Sequence, residues 1–146
     1  DTPELAAETA VLIEELREHR SGVVVIERML PRAELIKVLS SATVFACPSI
    51  YEPLGIVNLE AMACGRPTIT TDAPGCRETV ADGVNGYLVP VRDVDAIVAA
   101  MERILDDPER TAVMGAESRR ICEDRYDVHK VNRTIRRTMG IDTASA

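Results

Sequence analysis

The chain has no tryptophan, one phenylalanine and three tyrosines in 146 residues. Its core must therefore be aliphatic, and the aromatic platforms on which single-stranded nucleic acids stack are missing. Long apolar runs are missing too. None approaches the roughly 20 residues that a membrane-crossing helix needs. The chain shows no signal-peptide pattern. Its four cysteines, Cys47, Cys64, Cys76 and Cys122, fall in neither metal-ligand nor Cys-x-x-Cys spacing. Cys47 and Cys64 lie in apolar surroundings and read as buried thiols, so the expected compartment is the reducing cytoplasm. Positive charge is short as well. Seventeen bases face 24 acids, for a net charge of −7. That balance repels a phosphate backbone, and no nucleic-acid partner is expected. A small anionic nucleotide would have to bind through backbone N–H groups, a helix start or a few local cations.

What is present is an ordinary globular composition, 46% apolar and 28% charged, of a length that buries one core. Helical and extended patterns alternate along it. Leu5, Thr9, Leu12, Ile13 and Leu16 share a helical stripe, with Thr2 as cap and Pro3 at the first helical position. Val23–Ile26 is a β-branched run that reads as a buried strand. Pro31 opens a helix carrying Leu35, Val38, Leu39 and Ala42, and Thr43–Cys47 is the next strand. Ile56–Cys64 reads as a helix ended by Gly65, and Pro67–Thr71 as a strand. A short helical piece is expected near Arg77–Ala81, then turns at Asp82-Gly83 and Asn85-Gly86, then the strand Tyr87–Val89. Three helices finish the chain. Asp107-Pro108 separates the first two, and Val128, Val131, Ile135 and Met139 line one face of the last; Asp142–Ala146 reads as a frayed tail.

Strands alternating with helices predict an α/β fold, a Rossmann-like parallel sheet with helices on both faces. Residues 1–125 would form this domain and 126–146 a carboxyl-terminal helix and tail. Ligands in such folds sit at the carboxyl ends of the strands. Three loops leave those ends: Glu27–Leu30, Pro48–Gly55 and Asp72–Arg77.

The second loop carries the strongest functional signal. Pro53 keeps Glu52 out of helical angles, so that acid is held in an extended loop. Pro53-Leu54-Gly55 then leads into a helix with little bulk, where free N–H groups suit a phosphate. Glu60 lies about one turn inside that helix, and a carboxylate can accept both hydroxyl protons of a ribose diol. Taken singly, Glu60 is a solvated surface acid and Glu52 a loop residue. Taken together with Gly55 they point to a bound sugar, diphosphate and ribose. No metal site is expected, and no Gly-x-Gly-x-x-Gly follows a strand, which argues against a dehydrogenase. A receiver domain is disfavoured because no acid pair follows a first strand. His19 and His129 sit in charged helical contexts and read as surface residues.

The pattern Pro48-Ser49-x-x-Glu52-Pro53-x-Gly55-x-x-x-x-Glu60-Ala61-Met62-Ala63-x-Gly65 resembles the Glu-x7-Glu signature of retaining nucleotide-sugar glycosyltransferases of the two-domain GT-B fold, which include bacterial glycogen synthases. The resemblance continues through Gly83–Pro90 and covers roughly residues 1–125. Residues 1–64 look closest to actinobacterial-type glycogen synthases, and 65–93 to enzymes building surface polysaccharides or glycolipids. The resemblance implies a role for Glu52 on the transferred sugar, as the catalytic-site acid, and for Glu60 on the ribose. It places Pro53, Leu54, Gly55 and Gly75 among the donor-binding residues. It departs at Gly75-Cys76, where glycogen synthases usually show Gly-Gly.

The implied substrate is an ADP-, UDP- or GDP-linked sugar, with a glycan or lipid-linked acceptor and no further cofactor. The resemblance also implies that an amino-terminal domain, an Arg/Lys pair and the first two strands of this sheet belong upstream of Asp1. Val23–Ile26 would then re-pair with Thr43–Cys47 or exchange into a homodimer, the favoured outcomes, or the fragment would stay partly molten; alone it would not turn over. The stripe Val128–Met139 would pack on this domain or on a neighbour. The alternative is a non-catalytic nucleotide-binding or assembly module, a truncated, recombined or designed piece.

Overall fold

The computed structural model describes residues 2–141, so the ending 142–146 lies outside the described residues. The chain divides into two compact units, Asp1–Pro31 and Arg32–Ala146. In the first, α1 spans Pro3–His19. The Thr2 hydroxyl accepts the Leu5 N–H at 3.3 Å, and Pro3 fills a position whose N–H would have no helical acceptor. No residue of α1 is buried within the chain.

The expected strand Val23–Ile26 does not form. Among the described residues the segment has no ladder partner, and Val24 is 80% exposed. It therefore neither re-pairs with Thr43–Cys47 nor supplies a strand-end loop at Glu27–Leu30. A β-branched run measures fitness for a pleated, half-buried surface; it does not supply the second strand that makes one.

The second unit holds α2 (Arg32–Ser41), β1 (Phe45–Cys47), α3 (Ile56–Ala63), β2 (Thr68–Thr71), α4 (Pro74–Thr79), β3 (Gly86–Val89), α5 (Val94–Asp106), α6 (Pro108–Arg125) and α7 (Val128–Thr138). The strands form one parallel sheet in the order β1-β2-β3. Phe45 pairs with Thr68, and Ile69 with Tyr87. β2 is the central strand and is buried throughout. Side chains alternate across it. Ile69 joins Tyr87 and Val89 against Ala100 and Ile104 of α5, with Met114 of α6 completing the core. Thr70, one residue on, meets Cys76 of α4 on the opposite face. Helices thus cover both faces, as an α/β crossover sheet requires.

α4 begins at Pro74 rather than near Arg77, because a proline with fixed φ and no N–H suits a first helical turn. α3 ends in a Schellman pair, the Arg66 N–H on the Ala61 carbonyl and the Gly65 N–H on that of Met62. Asp93 and Asp107 cap α5 and α6. Asp127 caps α7 by accepting the Lys130 and His129 N–H groups at 3.0 Å, and the Lys130 bond above all holds its carboxyl below the usual carboxylate range. Val128, Val131 and Ile135 of α7, with Met139 just past it, share the expected face; Val131 is 38% exposed and Val128 60%, so the stripe stays outside the core. His19 and His129 are exposed, as expected. Cys47 is buried and Cys64 half-buried; all four cysteines are free thiols. Burial pushes the Cys122 thiol up, although Arg119 opposes the shift. No described helix is long and apolar enough to cross a membrane.

Candidate functional site

Two loops leave the carboxyl ends of neighbouring strands, 48–55 after β1 and Asp72-Ala73 after β2. The parallel pairing Cys47↔Thr70 sets them side by side. Buried hydroxyls then tie them together. The Thr71 hydroxyl donates to the Ser49 carbonyl. That of Thr70 lies 3.1 Å from the Cys47 carbonyl and 2.9 Å from Cys76 Sγ. Ser49 Oγ is 3.3 Å from Cys47 Sγ.

Glu52 folds back onto the helix that follows it. Its Oε1 accepts the Gly55 N–H at 3.0 Å and lies 3.5 Å from the Leu54 nitrogen. The Gly55 donor, expected to meet a phosphate, is thus already engaged by a carboxylate of the same chain. Gly55 caps α3 at φ 77, a left-handed conformation that favours glycine. The Gly55 carbonyl accepts the N–H groups of Asn58 and Leu59 at 3.0 and 3.1 Å. Ile56 and Val57, the first two residues of α3, have N–H groups with no carbonyl one turn before them inside the helix. These are the donors a phosphate would meet.

Glu60 lies four residues after Ile56, about 6 Å along the axis, and is exposed. The buried residues of α3 are Asn58, Ala61 and Met62, so Glu60 stands on the outward side. Pro53 and Leu54 are exposed in the loop.

Gly75 is where α4 meets this loop. Its N–H donates to the Glu52 carbonyl at 2.9 Å. A Cβ built there would collide with the Glu52 carbonyl oxygen, the Pro53 carbonyl carbon and the Leu54 nitrogen. The structure therefore brings Glu52, Pro53, Leu54, Gly55 and Gly75 into one contact region and leaves Glu60 one turn up the adjoining helix. Nearby, Arg77 pairs with Asp72, with Nη2 to Oδ2 at 3.0 Å. That hydrogen bond, and secondarily the carboxylate's charge, raises the guanidinium above its ordinary value.

Sequence reasoning missed the buried layer beneath the loop. Asn58 is fully buried, and its Nδ2 donates to Thr79 Oγ1 at 3.2 Å. The Thr79 hydroxyl donates in turn to the Cys76 carbonyl at 3.0 Å. The signal was an amide at a core-facing position of an apolar helix. Among the described residues no group of three or more His, Cys, Asp or Glu side chains is placed to hold a metal ion.

The family model for "Glycosyl transferases group 1" matches residues 9–121. The chain is 40% identical to the alpha-maltose-1-phosphate synthase of Mycolicibacterium smegmatis over 142 residues, 92% of this chain and 37% of that protein. It is 42% identical to a GDP-mannose-dependent alpha-(1-6)-phosphatidylinositol monomannoside mannosyltransferase of the same species, over 70% of this chain and 29% of that one. Among solved structures, sucrose-phosphate synthase from Thermosynechococcus elongatus superposes with a TM-score of 0.78 at 30% identity, over 92% of this chain and 35% of that one. HepE of Anabaena in complex with UDP superposes at 0.69 and 30% identity, over 71% of this chain and 29% of that one. The chain thus spans about a third of the length of the relatives it matches.

Proposed function

Because the chain belongs to the group 1 glycosyl transferases, we propose that it is the donor-binding part of a retaining nucleotide-sugar glycosyltransferase. The observation that carries this reading is the amino end of α3, with Glu52 at its mouth and two N–H groups free of helical acceptors. Ile56 and Val57 N–H groups hold the donor diphosphate, and Glu60 accepts the ribose hydroxyls. Glu52 divides its work. Oε1 keeps the loop on Gly55, and Oε2 takes hydroxyls of the transferred sugar. Gly75 holds the loop in register. Neighbours solved with UDP and with UDP-glucose support a nucleotide-sugar donor. The acceptor is a glycan or lipid-linked hydroxyl, and the anomeric configuration is kept.

Catalysis needs acceptor contacts beyond these loops, so this chain alone binds nucleotide weakly and does not turn over. Calorimetric titration with UDP, ADP and GDP tests the first point. Weak saturable binding of at least one is expected; heats indistinguishable from dilution for all three contradict the donor site. Incubation with the matching nucleotide sugars and a glucan acceptor tests the second. Measurable transfer by the 146-residue chain would refute it.

A second reading is an assembly module without catalysis. The partly exposed apolar stripe of α7, from which no residue enters the core, favours it. It predicts self-association by sedimentation, unchanged by nucleotide.

A further inference from the structure

We propose that Asn58 and Thr79 are positioning residues, whose buried side-chain hydrogen bond fixes the 52–55 loop on α4 and so sets where the acid and the helix end stand. The inference deepens the donor-site reading and rests on it for its ligand arm.

Asn58 is the third residue of α3 and 0% exposed; Thr79 is the last of α4 and 2% exposed. Burying an amide is costly unless its polar atoms are paired. Here Nδ2 is paired to Thr79 Oγ1 at 3.2 Å, while Oδ1 has no partner among the described residues. An apolar side chain of similar volume would fill the space without that orphaned acceptor. What it would not do is join α3 to α4.

The join lies directly under the site. The space beside Gly55 is bounded by Asn58 Nδ2 at 3.0 Å, Thr79 Oγ1 at 3.2 Å and the Gly75 carbonyl at 3.4 Å, measured from where a Cβ would stand. Gly55 is the residue whose N–H the Glu52 carboxylate holds. At the loop's other end the Gly75 N–H holds the Glu52 carbonyl. The loop is thus fastened to α4 twice, once by backbone and once through this side-chain pair.

α4 is itself anchored. Asn85 Nδ2 donates to the Thr79 carbonyl at 3.3 Å, and the Tyr126 hydroxyl donates to that of Glu78. A shift of α4 would move Glu52 and the amino end of α3 relative to each other. Both buried side chains act through Gly55 and Gly75 and touch no ligand.

The test is amide hydrogen exchange by NMR on the full chain, paired with titration by UDP, ADP and GDP. Thr79→Val keeps the shape and deletes the hydroxyl, which leaves the Asn58 amide wholly unpaired. The Gly55 and Gly75 N–H groups should exchange at least about tenfold faster, while the β2 amides Thr68–Thr71 keep their protection. Thr79→Ser should restore both. If Thr79→Val fails to fold, the double variant Asn58→Leu with Thr79→Val removes both partners at little cost, and the same two amides should lose protection. Unchanged Gly55 and Gly75 exchange in a folded variant overturns the inference. On the ligand arm, nucleotide affinity should drop about tenfold in Thr79→Val, equivalent to ~1.4 kcal/mol, and recover in Thr79→Ser. Faster exchange in a chain that binds none of the three nucleotides upholds the positioning role and overturns the donor-site reading.

Discussion

Gly75→Ala should abolish nucleotide binding and destabilise the chain by about 3 kcal/mol, the upper part of the range for overpacking. The new methyl would meet three backbone atoms, the Glu52 oxygen, the Pro53 carbon and the Leu54 nitrogen. Backbone cannot swing aside as a flexible side chain does. The loop or α4 must therefore move, and the Gly75–Glu52 hydrogen bond is lost with it. Because the three nearest atoms all belong to the 52–54 loop and none to a strand, the sheet should survive. Urea unfolding should show a lower midpoint with an unchanged slope, and titration should show no nucleotide heat. Wild-type affinity in Gly75→Ala would mean that the close approach of α4 is not needed by the site.

Gly86→Ala should have the larger effect on folding and leave no ordered sheet. Gly86 starts β3 and pairs with Thr68, the first residue of the central strand. A Cβ there would overlap the Thr68 carbonyl oxygen and crowd its nitrogen. Thr68 is fully buried between β1 and β3, so it has nowhere to retreat. The cost should exceed about 3 kcal/mol, out of the 5–15 kcal/mol that a domain typically holds. Collapse of amide shift dispersion at 25 °C is the expected observation. A dispersed spectrum with native Thr68–Thr71 protection would show that β3 can re-register around the methyl.

The helices were legible wherever local chemistry decides them. Thr2-Pro3 starts α1, Gly65 follows α3, and the proline of Asp107-Pro108 starts α6, all as the residues suggest. The three strands that formed were legible as short runs between turn residues, β-branched in β2 and mainly apolar in β1 and β3. Val23–Ile26 is more β-branched than β1 or β3 and forms no strand, because a strand is completed by a partner and this run has none among the described residues. The stripe of α7 was legible as a period, and its partial exposure leaves open which surface covers it. Periodicity says which face is apolar and nothing about what covers it.

The site shows the same division. Glu52, Gly55 and Gly75 could be named from their motif, but the reason for Gly75 could not. It depends on how closely α4 approaches residues 52–54, which lie some twenty positions earlier in sequence. The fold-back of Glu52 onto the Gly55 N–H was equally invisible, since a carboxylate three residues before a helix cap has several possible acceptor geometries. Asn58 and Thr79 were missed because a polar residue in a helix is ordinarily assigned to solvent.

The central claim is that α3 presents a diphosphate-binding amino end and, one turn later, an acid for the ribose. Its most direct test is a cycle of two ligands and two proteins: whichever of UDP, ADP and GDP binds tightest, its 2′,3′-dideoxy form, the parent chain and Glu60→Ala. The account predicts that deleting the diol or the carboxylate each costs about tenfold in affinity, ~1.4 kcal/mol, and that deleting both costs no more than deleting one. Equal affinity of parent and Glu60→Ala for the full nucleotide, or losses that simply add, would contradict it.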